Sequence, residues 1–481
     1  MRTGRFFRSR ALIGVAGAAF SLASWFDWTA RADDKLAPPS PPAAPPAQRV
    51  FSLAEMERTA LQVQPQLLQA RANTSVAEAE QAKSPLLPQV IGSAAYTRET
   101  GNFAPRPGVS AGGSYAYALQ GSQAAGYTLQ ATPVSVPVGG SLFSTSFDYW
   151  QFGLTATQLI YDFGQTTGKY DAAKLATEAQ RYLEQTTKLN ILLNVRKAYF
   201  AARANKELVD VAKETLDDQN KHLAQVQGMV TVGTQPLIAL AQQKAAVANA
   251  EVQLITAQNN YETSKAQLNQ AVGIPGGTDY DVSDQDIAAL PDEDQTLDAL
   301  VTKAIAARPE LATLAKQHEA QEATLASARG TYGPSIGASG GLTDYGTNLE
   351  QLVPNWSIGV GVTWPLFQGG LTKALVHQAE AGLESIDAQK AVEELQVRLD
   401  VDSARLAVRA AKATIPAVDD ALTSAREQLR LAEQRYATGV GSIIELNDAQ
   451  VAYTTAAAQV VQARYGLATA RAQLLAAMGR T

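Results

Sequence analysis

Two hydrophobic periods alternate along this chain. In residues 356–364 apolar and small residues take turns: Trp356, Ile358, Val360, Val362 and Trp364 share one face, and Ser357, Gly359, Gly361 and Thr363 share the other. Residues 150–157 repeat the pattern, with Trp150, Phe152, Leu154 and Ala156 opposed to Gln151, Gly153, Thr155 and Thr157. Nine residues at about 3.3 Å each, apolar on one side with tryptophan at both ends, suit a tilted strand crossing a bilayer between aromatic girdles. A half-buried strand of a soluble sandwich alternates in the same way. Its core, however, needs bulk where these strands carry glycine, serine and threonine. Partner strands are expected at about 89–97 and 335–343, each after a proline (Pro88, Pro334). That makes two hairpins and four strands.

Elsewhere the period is helical. Residues 165–231 and 371–437 predict two helices of 67 residues each, roughly 100 Å long at 1.5 Å per residue. Pro416 should interrupt and kink the second. Returning helices over about 236–272 and 442–478 are half as long. A helix over about 53–83, capped by Ser52 with Glu55 three residues on, is bent at Pro65; its counterpart over 297–329 has Pro309. Two shorter helices stacked end to end therefore match each long one.

These elements occur twice. At a fixed offset of 206, Gly439 falls on Gly233, Ile443 on Leu237 and Leu446 on Leu240, and the offset holds without a gap from Thr157/Thr363 to Gly273/Gly479. Such a register means a duplicated structural unit. The division expected is a signal peptide over 1–32, a Pro-rich tether over 33–50, a first repeat over 51–273 with its hairpin at 88–163, an acidic linker over 274–296, and a second repeat over 297–479 with its hairpin at 334–368. The linker's aspartates (Asp279, Asp281, Asp284, Asp286, Asp292, Asp294) and Glu293 are irregularly spaced, which suits a solvated connection better than a calcium loop. Some forty extra residues at 98–146, rich in Gly, Ser, Tyr and Pro, lengthen the first hairpin into an extracellular loop.

The N-terminus sets the address. Arg2, Arg5, Arg8 and Arg10 precede an apolar run over 11–26, and Ala30-Arg31-Ala32 has the form of a cleavage site. No other apolar run is long enough to span a membrane as a helix. Residues 1–32 hold five of the 40 basic residues and one of the 46 acidic ones. The mature chain then has 35 against 45, a formal charge of −10, which excludes nucleic acid as a partner. With no cysteine there is neither a disulfide nor a thiol for a lipid anchor.

Catalytic constellations are missing. His222, His318 and His377 stand singly, and there is no phosphate loop, dinucleotide fingerprint or nucleophile elbow. No enzyme, no metal site and no cofactor are expected. Residue identity looks purposeful at the turn between the long helix and its return, RYATGVGSIIELNDAQ (435–450). Gly233 and Gly439 allow the reversal. Glu445 and Asp448, three apart on one helix face, have Ala239 and Gln242 as counterparts; they are also ordinary first-turn acids that favour the helix dipole.

The order signal peptide, helix, hairpin, long helix, glycine turn and return helix, given twice, resembles the TolC family of outer-membrane efflux and secretion channels over essentially the whole mature chain. RYATGVGSIIELNDAQ is similar to that family's most recognisable segment. The resemblance implies an α+β membrane protein: a homotrimer with a twelve-stranded outer-membrane β-barrel, four strands per chain, continuing into a long periplasmic α-helical barrel. Four strands cannot close alone, and three copies are the smallest number that leaves a channel. It implies a passive exit duct of a tripartite efflux or type I secretion system. The implied partners are outer-membrane lipid around Trp150, Phe152, Leu154, Trp356, Ile358, Val360, Val362 and Trp364, and a periplasmic adaptor protein docked at Gly233, Thr234, Gly439, Val440 and Gly441. An inner-membrane RND pump or ABC exporter lies beyond. It implies a periplasmic aperture ringed by Glu445 and Asp448 and held by Tyr436. Gly441 stands where the best-known member has a gating arginine, and Ala239 where it has an aspartate. The alternative reading is a periplasmic coiled-coil adaptor or scaffold without a pore.

Overall fold

The computed structural model describes residues 49–81, 84–100, 114–122, 126–134, 146–284, 289–291 and 293–480. Contacts divide the chain into residues 1–47 and 48–481, and every described residue belongs to the second unit. The signal peptide, most of the tether, much of the long loop, and Asp286 and Asp292 lie outside the described residues.

The first repeat opens with strand β1 (Arg49–Phe51), helices α1 (Leu53–Val63) and α2 (Pro65–Glu80), and a 3-10 turn, Ser84–Leu86. It continues through β2 (Gln89–Thr100), β3 (Ser114–Ser122), β4 (Gly126–Val134), β5 (Ser146–Tyr161), α3 (Gln165–Thr231) and α4 (Leu237–Val272). After β6 (Tyr280–Val282) the second repeat follows as α5 (Leu297–Ala307), α6 (Pro309–Gly330), β7 (Ser335–Gly346), β8 (Val353–Thr363), α7 (Leu371–Ala437) and α8 (Ile443–Ala477). Six of the seven glycines with positive φ among the described residues fall in pairs 206 apart: Gly164 and Gly370 (88° and 86°), Gly233 and Gly439 (both 79°), Gly273 and Gly479 (85° and 69°); the seventh, Gly369 (60°), has Phe163 (54°) as its counterpart.

The four main strands form one antiparallel sheet in the order β2-β5-β7-β8. Its register carries the alternation across all four strands. Ile91, Thr155, Gly341 and Ser357 stand side by side, as do Gln89, Thr157, Ser339 and Gly359. The next row of the other face holds Gly92, Leu154, Leu342 and Trp356. Apart from Ile91, these rows make one face small and polar and the other apolar, and the apolar side chains stand free: Ile358 is 80% exposed and Val360 70%. β3 and β4 pair only with each other, as an antiparallel hairpin within the long loop.

The prolines break the short helices where expected. Gln64 and Arg308, each just before a proline, have extended backbones (ψ 118° and 124°), as the pyrrolidine ring requires of its predecessor. Both side chains donate to the last turn of a return helix, Gln64 Nε2 to the Ala271 carbonyl and Arg308 Nε to that of Ala477, each at 2.8 Å. Otherwise orphaned helix-end carbonyls gain donors there, and that contact stacks α4 under α2 and α8 under α6. The α4/α2 column lies against α3, and α8 and α6 both contact α3 and α7. The helical layer therefore runs (α4, α2), α3, (α8, α6), α7, with its core in three parcels: a tip cluster, a cluster of α5, α7 and α8, and a middle cluster around Tyr199 and Phe200.

Two expectations change. Pro416 does not interrupt α7, which is continuous over its 67 residues. Proline at 416 deprives the carbonyl of residue 412 of its donor, and there the helix is gripped from outside: Lys412 Nζ meets Glu293 at 2.5 Å and Asp294 at 3.1 Å. Nor is the acidic linker merely solvated. β6 pairs in parallel with β1, Val282 is buried, Asp281 accepts from Tyr261 at 2.6 Å, and Arg203 pairs with Asp284 at 2.6 Å. Glu293, 3% exposed, receives Arg471 on both carboxylate oxygens.

Burial alone would raise the Glu293 carboxyl, but hydrogen bonds from Arg471, Lys412 and the Leu290 amide outweigh it and hold it below the ordinary 4.5. A depressed carboxyl stabilises the fold above its unfolded value, and that contribution is lost as pH falls through the folded value. Glu293→Ala is expected to cost about 3 kcal/mol, since it strands two cations. The readouts are a lowered midpoint of thermal unfolding and earlier proteolysis within 274–296. Glu293→Gln should also lack the wild type's loss of stability below 4.5; an unchanged acid limb means the clamp contributes nothing there.

Candidate functional site: the helix tips

The two turns furthest from the sheet are built alike. In the first, the amide of Gly233 donates to the Val230 carbonyl at 3.1 Å and that of Thr234 to Met229 at 2.9 Å. In the second, Gly439 donates to Tyr436 at 3.0 Å and Val440 to Arg435 at 3.1 Å. These paired bonds close the helix ends, with the left-handed residue at glycine because a Cβ would be strained there. Val232, Leu237, Ile238, Val440 and Ile444 are exposed at the tips.

The second turn carries more. Ser442 caps α8, its hydroxyl accepting from the Glu445 amide at 3.1 Å. Arg435 Nε lies 3.0 Å from Glu445 Oε1, so a cation from the end of α7 pairs with the first acid of α8. Asp448 is exposed, and among the described residues it has no ion-pair partner. Gly441 is held by close approach: a Cβ there would stand 2.8 Å from the Tyr436 amide nitrogen and 2.9 Å from the Arg435 carbonyl carbon. An arginine at 441 does not fit this turn.

Glu445 and Asp448 are both on the surface of the protomer. Tyr436, expected with them at the aperture, is not: its ring is 1% exposed within the tip cluster beside Leu446 and Ala449, and burial raises its hydroxyl above the ordinary value. The reason is register, since residue 436, one residue before the end of α7, faces α8. Ala239, the counterpart of Glu445, is buried as well. Sequence reasoning missed Arg435, whose counterpart is Met229; a cation ten residues before an acid across a tight turn was the available signal. It also missed the buried polar side chains Gln219, His222, Gln243 and Gln450 between the helices. His318 lies 3.4 Å from Asp387, and His377 is exposed. No cluster of potential metal ligands occurs among the described residues.

At the other end, Trp150, Phe152, Leu154, Trp356, Ile358, Val360 and Val362 occupy the apolar face of the sheet. Trp364 lies one residue past β8 and donates from Nε1 to the Tyr332 carbonyl at 3.0 Å. No helix among the described residues is long and apolar enough to cross a membrane. The family model described as "Outer membrane efflux protein" matches residues 58–274 and 300–480. This chain belongs to the outer membrane efflux protein family.

Among curated members, the chain is 24% identical over 311 residues to the pyoverdine export outer membrane protein OpmQ of Pseudomonas putida, covering 64% of this chain and 65% of that one. It is 24% identical to the outer membrane efflux protein BepC of Brucella suis, covering 68% and 72%. The crystal structure of the Campylobacter jejuni CmeC outer membrane channel superposes with a TM-score of 0.71 at 19% identity, over 89% of this chain and 85% of that one. The fold is that of the family's channels, and membership places the chain in the outer membrane. A poreless periplasmic scaffold is set aside.

Proposed function

We propose that this outer membrane efflux protein is the passive exit duct of a tripartite export system, efflux or type I secretion, and works as a homotrimer. The observation that carries the reading is that the chain is unfinished along one pair of sides at every level. Among the described residues the sheet ends on β2 and β8 with free edges. β2 and β8 run in opposite directions, so the β8 of one copy can pair antiparallel with the β2 of the next. Three copies then close twelve strands. In the helical layer α7 is one margin and the α4/α2 column the other. α7 exposes Val392, Leu395 and Leu399; α2 exposes Leu68 and Val76; α4 exposes Val252 and Ile255. Apolar stripes at helical spacing on opposite margins suit the same head-to-tail closure.

In this assembly the small, polar face of the sheet lines the lumen and the apolar face meets lipid. The tips, with Gly233, Thr234, Gly439, Val440 and Gly441, are the surfaces that a periplasmic adaptor and an inner-membrane RND pump or ABC exporter can reach. Energy comes from those partners. The mature protein is expected in the outer-membrane fraction as a heat-modifiable trimer on gels; recovery as a soluble periplasmic monomer sinks both the barrel and the stoichiometry.

A further inference from the structure

Buried polar atoms without a hydrogen-bond partner in the protein are concentrated at one place among the described residues. Apart from Glu310 Oε2 on α6, they are His222 Nε2 on α3, Gln243 Oε1 on α4, the Tyr436 hydroxyl on α7, and Asn447 Oδ1 with both amide atoms of Gln450 on α8. They lie within about three helical turns of the tips. Higher in the seam between α3 and α8 the polar groups close on each other: Thr215 meets Thr454 at 2.9 Å and Arg203 meets the Tyr465 hydroxyl at 3.2 Å. The tip end of the seam, held by apolar packing, thus has few polar bonds to lose on parting.

His222 is the titratable group inside it, with 8% of its side chain exposed. From α7, Glu433 Oε1 stands 3.6 Å from Nε2. From α8, the Gln450 carboxamide lies against it; on its own helix Asp218 and Lys221 are the charged neighbours. α4 contributes Gln243, a neutral side chain bonded to Gln219 at 2.6 Å. Burial holds the imidazole below its ordinary 6.5, although Glu433 and Asp218 favour the charged form.

We propose that His222 is a proton-sensitive latch between the first repeat's α3 and the second repeat's α7–α8 pair: neutral, it fits the seam, and protonated in an acidified periplasm it parts the tips. An imidazolium there needs an acceptor for its Nε2 proton. The nearest is Glu433 Oε1, at 3.6 Å just beyond hydrogen-bond reach, and closing on that half-exposed carboxylate draws the imidazolium out of the seam toward water. The sign follows from linkage: a base depressed in the folded state favours the closed seam above its unfolded value, and that preference is lost as pH falls through the folded one. One proton changes the opening equilibrium by at most about tenfold per pH unit. The consequence for export rests on the duct reading; the latch itself does not.

The test uses the full mature protein as it is recovered from the membrane and the absence of native cysteine. Val226→Cys places a thiol in the tip core one turn below His222, and Val232→Cys places an exposed one at the end of the same helix. The ratio of their labelling rates with a small thiol reagent cancels the reagent's own pH dependence. Between about pH 7.5 and 5 the ratio is expected to rise by up to tenfold per unit below 6.5. It should stay flat with His222→Gln, and Glu433→Gln should shift the rise to lower pH. A ratio independent of pH in the parent, or a rise that survives His222→Gln, overturns the latch. Glu433→Gln alters a partly exposed side chain, so an unmoved rise in that variant overturns the pairing even if His222→Gln fails to fold.

Discussion

Val360→Arg is expected to abolish the heat-modifiable trimer, and Gly361→Ser, one residue away, to leave it intact. Val360, well inside the edge strand β8, stands beside Ala338 on the apolar face, and its side chain is free in the protomer. In the proposed barrel it faces the lipid midplane, where an arginine costs roughly 2–4 kcal/mol in each of three copies. Gly361 pairs with Gly337 on the small face, with nothing within 4 Å of a Cβ, so serine is accommodated and meets water. Trimer yield in outer membranes, scored by heat-modifiable migration, separates the two. Equal tolerance means that the faces are inverted.

The second large effect is a reversal of ion selectivity at the tips. Glu445 is paired with Arg435 in its own chain, so each copy presents Arg435, Glu445 and Asp448 with a net charge of −1, and three copies make −3. The double change Glu445→Gln with Asp448→Asn leaves Arg435 behind and turns −3 into +3. Under a salt gradient in planar bilayers the parent should be cation-selective and blocked by a multivalent cation from the periplasmic side. The double variant should show a reversal potential of opposite sign and no such block. Arg435→Gln should do the opposite and tighten the block roughly tenfold, as expected for a charge about 6 Å away, worth ~1.4 kcal/mol at an effective dielectric near 40. A double variant with parental selectivity and block reduces Glu445 and Asp448 to helix-end acids.

Local chain properties determined most of the architecture. Alternation at 356–364 is a property of neighbours two apart, and it marks β8 because a strand presents every second side chain to one face. Gly233 and Gly439 mark the ends of α3 and α7 because the left-handed backbone there excludes a Cβ. Pro65 and Pro309 separate α1 from α2 and α5 from α6 because each constrains the residue before it. All of these act within a few residues, so a linear string displays them, and duplication shows each twice.

What only the tertiary structure decided are pairings between distant segments. β1 and β6, three residues each, are too short to show a period, and they exist because Arg49–Phe51 meets Tyr280–Val282 across more than two hundred residues. Glu293 reads as one more acid of a solvated linker until Arg471 and Lys412, from two helices, close on it. The ring of Tyr436 goes inward and Arg435 outward because of how α7 is rotated against α8, which a shared turn motif leaves open. Whether a charge is free, paired or buried depends on what the fold sets opposite it, and at the tips that neighbour lies on another helix.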